Sequence, residues 1–397
     1  MITLYKNKKD CCGCGACMNV CPKNAITMKS DGCGFAYPFI DIDTCVECGA
    51  CLKACGYQRG NSGNEPSDVY VAASKNDELI LSSASGGVFS TIARKIVEEG
   101  GIVYGAAMMK EDDRFVVRHI GVENRNDLVL LAGSKYVQSE TRYVFSEIKS
   151  HLQEGREVLF SGTPCQCAGL RAYLKKDYKN LFVIDIICHG VPNIDMFNDY
   201  IKANFSNYSD VRHFRFRDKT KGWDMTARLD YSGGSVLIPG RTSSYFTLFL
   251  DGHIYRENCY SCIYACPKRV GDITIGDYWG IQKQHPELLK DGRYSPRKGI
   301  SCILVNTENG QRLVDKARND LYLDKSEFIK VSARNEQLVK PSKESVFREE
   351  ILDLYSHHGY KAVEQFYKAK YKKQIVIHRI FNMMPYFFKE FVRRVLH

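Results

Sequence analysis

No stretch of this chain is apolar for anything near the roughly 18 residues that a membrane-spanning helix needs, so a helical membrane protein is not expected. The opening residues, MITLYKNKKD, lack an apolar core and a small-residue cleavage site, and no secretory signal is expected there. Nothing matches a DNA- or RNA-reading motif, which removes nucleic acid from the expected partners. Together these absences predict a cytoplasmic location. Thiols stay reduced in that compartment, so the 17 cysteines read as metal ligands and not as a disulfide framework. Hydrophobic content of 44% and charged content of 26% are ordinary globular values, and 397 residues suffice for two or three domains.

What is present is sulfur in a repeat. CCGCGACMNVCP (residues 11–22) places Cys11, Cys14, Cys17 and Cys21 in the spacing C-x2-C-x2-C-x3-C, followed by Pro22. CVECGACLKAC (45–55) repeats the spacing with Cys45, Cys48, Cys51 and Cys55, each 34 residues after its counterpart. Four thiolates must converge on a cube of iron and sulfide. Gly13, Gly15, Ala16, Gly49 and Ala50 are small enough to let backbone amides approach the sulfurs. Zinc also takes four thiolates, but zinc ribbons pair two CxxC knuckles and not two runs of four.

The repeat resembles a bacterial-type ferredoxin module with two [4Fe-4S] clusters. In such modules the fourth cysteine of each run serves the other cluster. The resemblance therefore implies one ligand set of Cys11, Cys14, Cys17 and Cys55 and another of Cys45, Cys48, Cys51 and Cys21. Gly56 departs from the proline usual after the last cysteine. Cys12 and Cys33 are left over and read as structural. The expected architecture is an α+β ferredoxin-like module (1–60), then an α/β domain (68–340), then a mainly helical C-terminal extension (341–397). The segment YQRGNSGNEPS (57–67) reads as a linker.

Beyond the linker, strands and helices alternate. Strands are expected at 69–74, 101–109, 157–162 and 181–188, with helices at 86–101 and around 140–153. Ligands gather at strand ends in such sheets, and four segments there carry chemistry-bearing residues. SSASGGVF (82–89) offers Ser85, Gly86 and Gly87 ahead of a helix, either as an anion site or as an ordinary cap. SGTPCQCAGLRAYL (161–174) presents Thr163, Cys165 and Gln166 at a helix start, and the thiol reads as cluster ligand, redox-active group or buried packing residue. DIICHGVP (185–192) ends in Cys188 and His189. NCYSCIYACPKRVGDITIGDYWG (258–280) supplies Cys259, Cys262 and Cys266, three ligands without a fourth. A third cluster would complete its set with Cys165 or Cys188, with Cys167 and Cys302 less favoured; zinc is the alternative occupant.

Taken in order, these segments resemble the family of coenzyme F420 hydrogenase/dehydrogenase beta subunits over roughly residues 68–340. The resemblance implies FAD and a [4Fe-4S] cluster close to it, with Ser85, Gly86, Gly87, Thr163, Gln166 and His189 as candidate contacts. It implies an FAD-dependent iron–sulfur oxidoreductase. Electrons would move between a ferredoxin-like or other redox protein and a small two-electron substrate, coenzyme F420 or another, through FAD and three clusters. The competing reading is a non-catalytic relay subunit or accessory protein of a larger redox or polysaccharide-synthesis assembly. Arg212, Arg215, Arg217, Lys219 and Lys221 form a basic group that could meet an anionic ligand or simply face solvent. From Phe366 to His397 eight Lys or Arg stand against one Glu, giving +7 of the net +10. Apolar residues are interleaved, so this tail reads as a helix pair capping the core or as a peripheral membrane contact.

Overall fold

The computed structural model describes residues 2–205 and 208–384. Among the described residues thirteen strands form three sheets. β1 (Ile26–Ser30) and β2 (Ala36–Ile40) make an antiparallel pair at the N-terminus. A large sheet takes β3 (Asp68–Ser74), β4 (Ile102–Glu111), β5 (Arg114–Val122), β6 (Val158–Gly162) and β7 (Leu181–Ile186). A three-stranded antiparallel sheet is built from β8 (Val211–Arg215), β9 (Thr226–Tyr231) and β10 (Gly234–Pro239). β11 (Ile273–Asp277), β12 (Ser301–Val305) and β13 (Leu321–Ser326) complete the large sheet, whose order is β13-β3-β12-β11-β7-β6-β4-β5.

The centre of that sheet, β4-β6-β7-β11, is parallel, and its flanks are antiparallel. Side chains on a strand alternate between faces, and the sequence exploits this. Leu159, Phe182 and Ile184 pack with the helices Val88–Glu98 and Glu308–Ala317. Their neighbours Val158, Phe160, Leu181 and Val183 pack on the opposite face with the helices Val144–Gln153 and Pro164–Leu174. Cys12, Cys14 and Ala16 belong to this second core, so the N-terminal thiol repeat is packed on the α/β body.

The strands expected from the sequence before residue 188 are present within a few residues of their expected ends. The sequence pattern does not announce β8 to β10 or the antiparallel strands β12 and β13. β8 to β10 are short and carry many polar residues, while β12 is a five-residue, mostly apolar run that periodicity alone does not distinguish from a buried helix segment. The helices Arg348–His358 and Tyr360–Lys370 bury Ile351, Tyr360 and Val363 in an aromatic core with Phe197, Tyr245 and Phe246. The helix Lys372–Met383 buries none of its residues. The tail positions from Pro385 to His397, including Tyr386, Phe387, Phe388, Phe391 and Val392, lie outside the described residues. Among the described residues no helix is long and apolar enough to cross a membrane.

One buried network fixes the turn after β6. His119 on β5 stacks on Phe160 at 5.1 Å, contacts Ser161 O through Nε2 at 3.0 Å and meets Ser139 Oγ through Nδ1 at 3.1 Å. Gln166 Nε2 donates to Ser139 O and to Ser139 Oγ, both at 3.0 Å. Burial lowers the His119 pKa to about 4, so the folded chain holds it neutral. The unfolded chain takes up this proton near the ordinary value of about 6.5. Native stability therefore falls as pH drops from about 6.5 to about 4, by up to roughly 3 kcal/mol from this group. Denaturant unfolding across that range should show the slope in the parent and a shallower one in His119→Gln; identical slopes would contradict the assignment.

Candidate functional site

The two cysteine runs fold as near repeats. Each places a short helix, Ala16–Val20 or Ala50–Lys53, after a left-handed glycine, Gly15 at φ 77° or Gly49 at φ 70°. Only glycine takes that conformation readily, and a Cβ on Gly15 would also stand 2.5 Å from Thr141 Oγ1. The run beginning at Cys45 closes around a cavity lined by Cys45, Cys48, Cys51 and the distant Cys21, with about 330 Å³ of empty space including its mouth. Every pair among Cys11, Cys14, Cys17 and Cys55 is close enough to interact electrostatically. The chain thus brings together the same two foursomes that the ferredoxin resemblance implies.

The first run is clamped to the α/β body by side chains reaching its carbonyls. Thr141 Oγ1 donates to Cys14 O at 2.8 Å, Gln138 Nε2 to Cys12 O at 2.9 Å, and Arg256 Nε to Cys11 O at 3.0 Å. The helix Pro164–Leu174 supplies the other wall. Gly169 comes so close that a Cβ there would lie 2.8 Å from Cys14 Sγ.

A larger cavity, with about 500 Å³ of empty space counting its open mouth, lies at the C-terminal ends of β6 and β7. Five thiols line it: Cys12, Cys165, Cys188, Cys259 and Cys262. Four of them are held by identifiable elements. Thr163 caps the helix Pro164–Leu174 in a reciprocal box with Gln166, which sets Cys165 in the first turn. Cys188 leaves the end of β7. The loop carrying Cys259 and Cys262 returns to the sheet through the buried Arg269–Asp185 pair at 3.0 Å, and Asp185 also accepts from the amides of Val270 and Gly271. Every pair among Cys165, Cys188, Cys259 and Cys262 is close enough to interact. Both candidates for the fourth ligand therefore lie in the cavity. Cys266 does not line it; its sulfur accepts from Asn61 Nδ2 at 3.1 Å.

Burial pushes the Cys259 thiol up to about 12 and Cys262 to about 11, and raises Cys188 too. Hydrogen bonding by Cys12 is the main influence lowering Cys165. Cys12 is also hydrogen-bonded to Cys14, so one residue joins the first cysteine run to this cavity. The sequence alone does not point to Cys12, because the repeat is complete without it. Thiols this buried ionise when a cation coordinates them, and a sulfur-rich, mostly apolar wall suits an iron–sulfur cluster.

The remaining expected residues fall near the same strand ends. His189 and Thr163 line the thiol cavity. The Gln166 amide is committed to Ser139 and to Thr163, where it fixes the turn. Ser85 Oγ donates to Ile300 O at 3.0 Å and Gly86 N donates to Ser301 Oγ at 2.9 Å, while Gly87 caps the next helix at φ 81°. Two segments meet this loop. Trp223 Nε1 donates to Ala84 O at 3.0 Å, and Lys219 Nζ reaches the carbonyls of Ile80 and Ser85. Of the basic group, Arg217 and Lys219 are buried, whereas Arg212, Arg215 and Lys221 are exposed. Arg217 pairs with Asp277 at 3.2 Å and lies 5.1 Å from the Trp223 ring, itself 4.5 Å from Trp279. Yet Arg217 Nε, Arg217 Nη2 and Asp277 Oδ1 are buried with no hydrogen-bond partner. Unsatisfied buried groups of this kind are costly and fit the polar edge of a planar ring system such as a flavin.

Thiol foursomes at the N-terminus, with a further thiol cluster at the ends of parallel strands, define an iron–sulfur electron-transfer protein. Comparison with known proteins agrees. Residues 10–58 match the model of the 4Fe-4S dicluster domain. Residues 69–145 match the N-terminal part of the coenzyme F420 hydrogenase/dehydrogenase beta subunit, and residues 155–330 match its C terminus. The chain belongs to the family of coenzyme F420 hydrogenase/dehydrogenase beta subunits, which are oxidoreductases. It is 23% identical over 382 residues to an uncharacterized protein of Methanocaldococcus jannaschii, covering 86% of this chain and 98% of the relative. It is 23% identical over 323 residues to a subunit of the F420H2 dehydrogenase of Methanosarcina mazei, covering 78% of this chain and 83% of that relative. A chain of the F420-reducing [NiFe] hydrogenase complex from Methanosarcina barkeri aligns at 16% identity and a TM-score of 0.44, covering 76% of this chain and 90% of that one.

Because Gly169 abuts Cys14, Gly169→Ala should push the first cysteine run off the body. Overpacking of this kind costs about 1–3 kcal/mol, read as a lower Tm by calorimetry; an unchanged Tm would contradict the close approach.

Proposed function

We propose that this chain is an FAD-dependent iron–sulfur oxidoreductase carrying three [4Fe-4S] clusters. It moves electrons between a ferredoxin-type carrier and a small two-electron substrate. One cluster sits on Cys11, Cys14, Cys17 and Cys55, and a second on Cys45, Cys48, Cys51 and Cys21. The third sits on Cys165, Cys188, Cys259 and Cys262. On this reading residues 1–60 form the two-cluster ferredoxin domain, 68–340 the flavin and substrate domain, and 341–397 a basic, mainly helical extension. The observation that carries the reading is the five-thiol cavity, hydrogen-bonded through Cys12 to Cys14.

A bound flavin exchanges an electron pair with an organic substrate and single electrons with a cluster. The chain's residues hold the rest of the device. Arg217 and Asp277 offer unpaired donors and an acceptor to the ring edge, the loop of Ser85, Gly86 and Gly87 lies against Trp223 and Lys219, and His189 and Thr163 line the thiol cavity. Coenzyme F420 is the first substrate to test, because a relative is named for F420H2 oxidation. That relative is one subunit of a dehydrogenase, which favours as the second reading a relay protein that needs a partner for chemistry.

Anaerobic purification with iron, sulfide and flavin analysis tests the assignment. The parent should hold roughly 12 iron atoms, from three four-iron clusters. Cys165→Ala and Cys188→Ala should each fall to roughly 8 on the same four-iron count, and Cys266→Ala should keep the parent's content. Iron unaffected by both of the first two changes would remove the third cluster. For the flavin, Arg217→Met should purify with little of it, with the iron retained. Full flavin in that variant would place the ring elsewhere. Flavin bleached by substrate without other proteins supports the enzyme, and clusters with no flavin support the relay protein.

A further inference from the structure

Arg256 is the most deeply buried arginine of the described residues, with no exposed surface. It leaves the chain beside the thiol cavity: its amide donates to Val191 O at 2.9 Å and its carbonyl accepts from Cys259 N at 3.0 Å. Its side chain points the other way, into the first cysteine run. Nε donates to Cys11 O at 3.0 Å, Nη1 to Ala36 O at 2.8 Å and to Gln138 Oε1 at 3.3 Å, and Nη2 faces Cys11 Sγ at 3.9 Å. The Tyr37 ring lies 3.9 Å from the guanidinium carbon. All of these partners are neutral groups or a thiol. Two other deeply buried arginines each have a carboxylate partner, Arg269 with Asp185 and Arg217 with Asp277. Among the described residues Arg256 has no such ion pair.

Taking a lone cation out of water costs several kcal/mol, so a counter-charge is needed. The Cys11 sulfur faces the guanidinium, and the amide of Cys259 donates to the Arg256 carbonyl, so ligands of two proposed clusters flank Arg256. In the proposed ligand sets, Cys11 belongs to the first cluster and Cys165 and Cys259 to the third.

We propose that Arg256 is the shared counter-cation of the first and third clusters, and that it holds both reduction potentials up. The inference rests on the cluster reading under Proposed function. Reduction adds one electron to a group that is already anionic, so a fixed cation in a low-dielectric interior favours the reduced form. Sharing the cation raises both potentials together, so both centres become easier to reduce. The side chain of Arg256 touches Cys11, Ala36, Gln138 and Tyr37. None of Cys45, Cys48, Cys51 and Cys21 is among these contacts, so the cluster on those four thiols is taken to lie outside this influence.

The test is a redox titration of the anaerobically purified full chain, followed by electron paramagnetic resonance. Arg256→Gln should lower the reduced-to-oxidised ratio of two of the three clusters at least tenfold at fixed potential, which is about 59 mV for a one-electron couple. The third transition should stay put, and Arg256→Lys should restore most of the shift. If Arg256→Gln fails to assemble, Gln138→Glu decides the matter by setting a carboxylate against the same guanidinium; the same downward shift of two transitions is expected. Three assembled clusters with unmoved potentials in either variant overturn the role of Arg256. A parent chain without iron overturns the ligand reading first, so the two failures are distinguishable.

Discussion

A thiolate cannot sit alone in an apolar interior, and this molecule buries or half-buries nearly all its cysteines. That constraint organises the rest. Burial drives Cys188, Cys259 and Cys262 toward the protonated form, and their convergence on one cavity supports the ligand set proposed for the third cluster. The cavity is surrounded by the ends of two adjacent parallel strands, a capped helix start and a buried Arg–Asp pair.

Continuity between the N-terminal repeat and the sheet follows from the same packing. Cys12 and Cys14 are core residues of the face that carries Val144–Gln153 and Pro164–Leu174. The carbonyls of the first cysteine run are held by Gln138, Thr141 and Arg256, all from the body. An electron-carrying module on a loose tether would vary its distance to the next centre. Here the distance is set by close-packed side chains, which resist small displacements.

Much of this is legible in the sequence where a local rule forces the residue. The spacing of eight cysteines, the glycines before each short helix and the periodic strands of the α/β region are decided by neighbours in the chain. Residues chosen by long-range contact are not legible. Cys12 looks redundant beside Cys11, and its place between Cys14 and Cys165 depends on a helix about 150 residues away. Cys266 completes an attractive local motif, yet its side chain lies beside Asn61. Gln166 reads as a ligand contact, and its amide instead braces the turn that presents Cys165. Arg217 stands in a basic run with Arg212 and Arg215; only the fold separates the buried cation from the solvated ones.

The account stands on iron and sulfide held by these thiols. X-ray absorption at the iron edge of anaerobically purified protein reads that chemistry directly. A sulfur shell around iron together with a strong iron–iron distance, the signature of cubane clusters, is the result the account predicts. Zinc in place of iron, with a sulfur shell and no metal–metal distance, would contradict it.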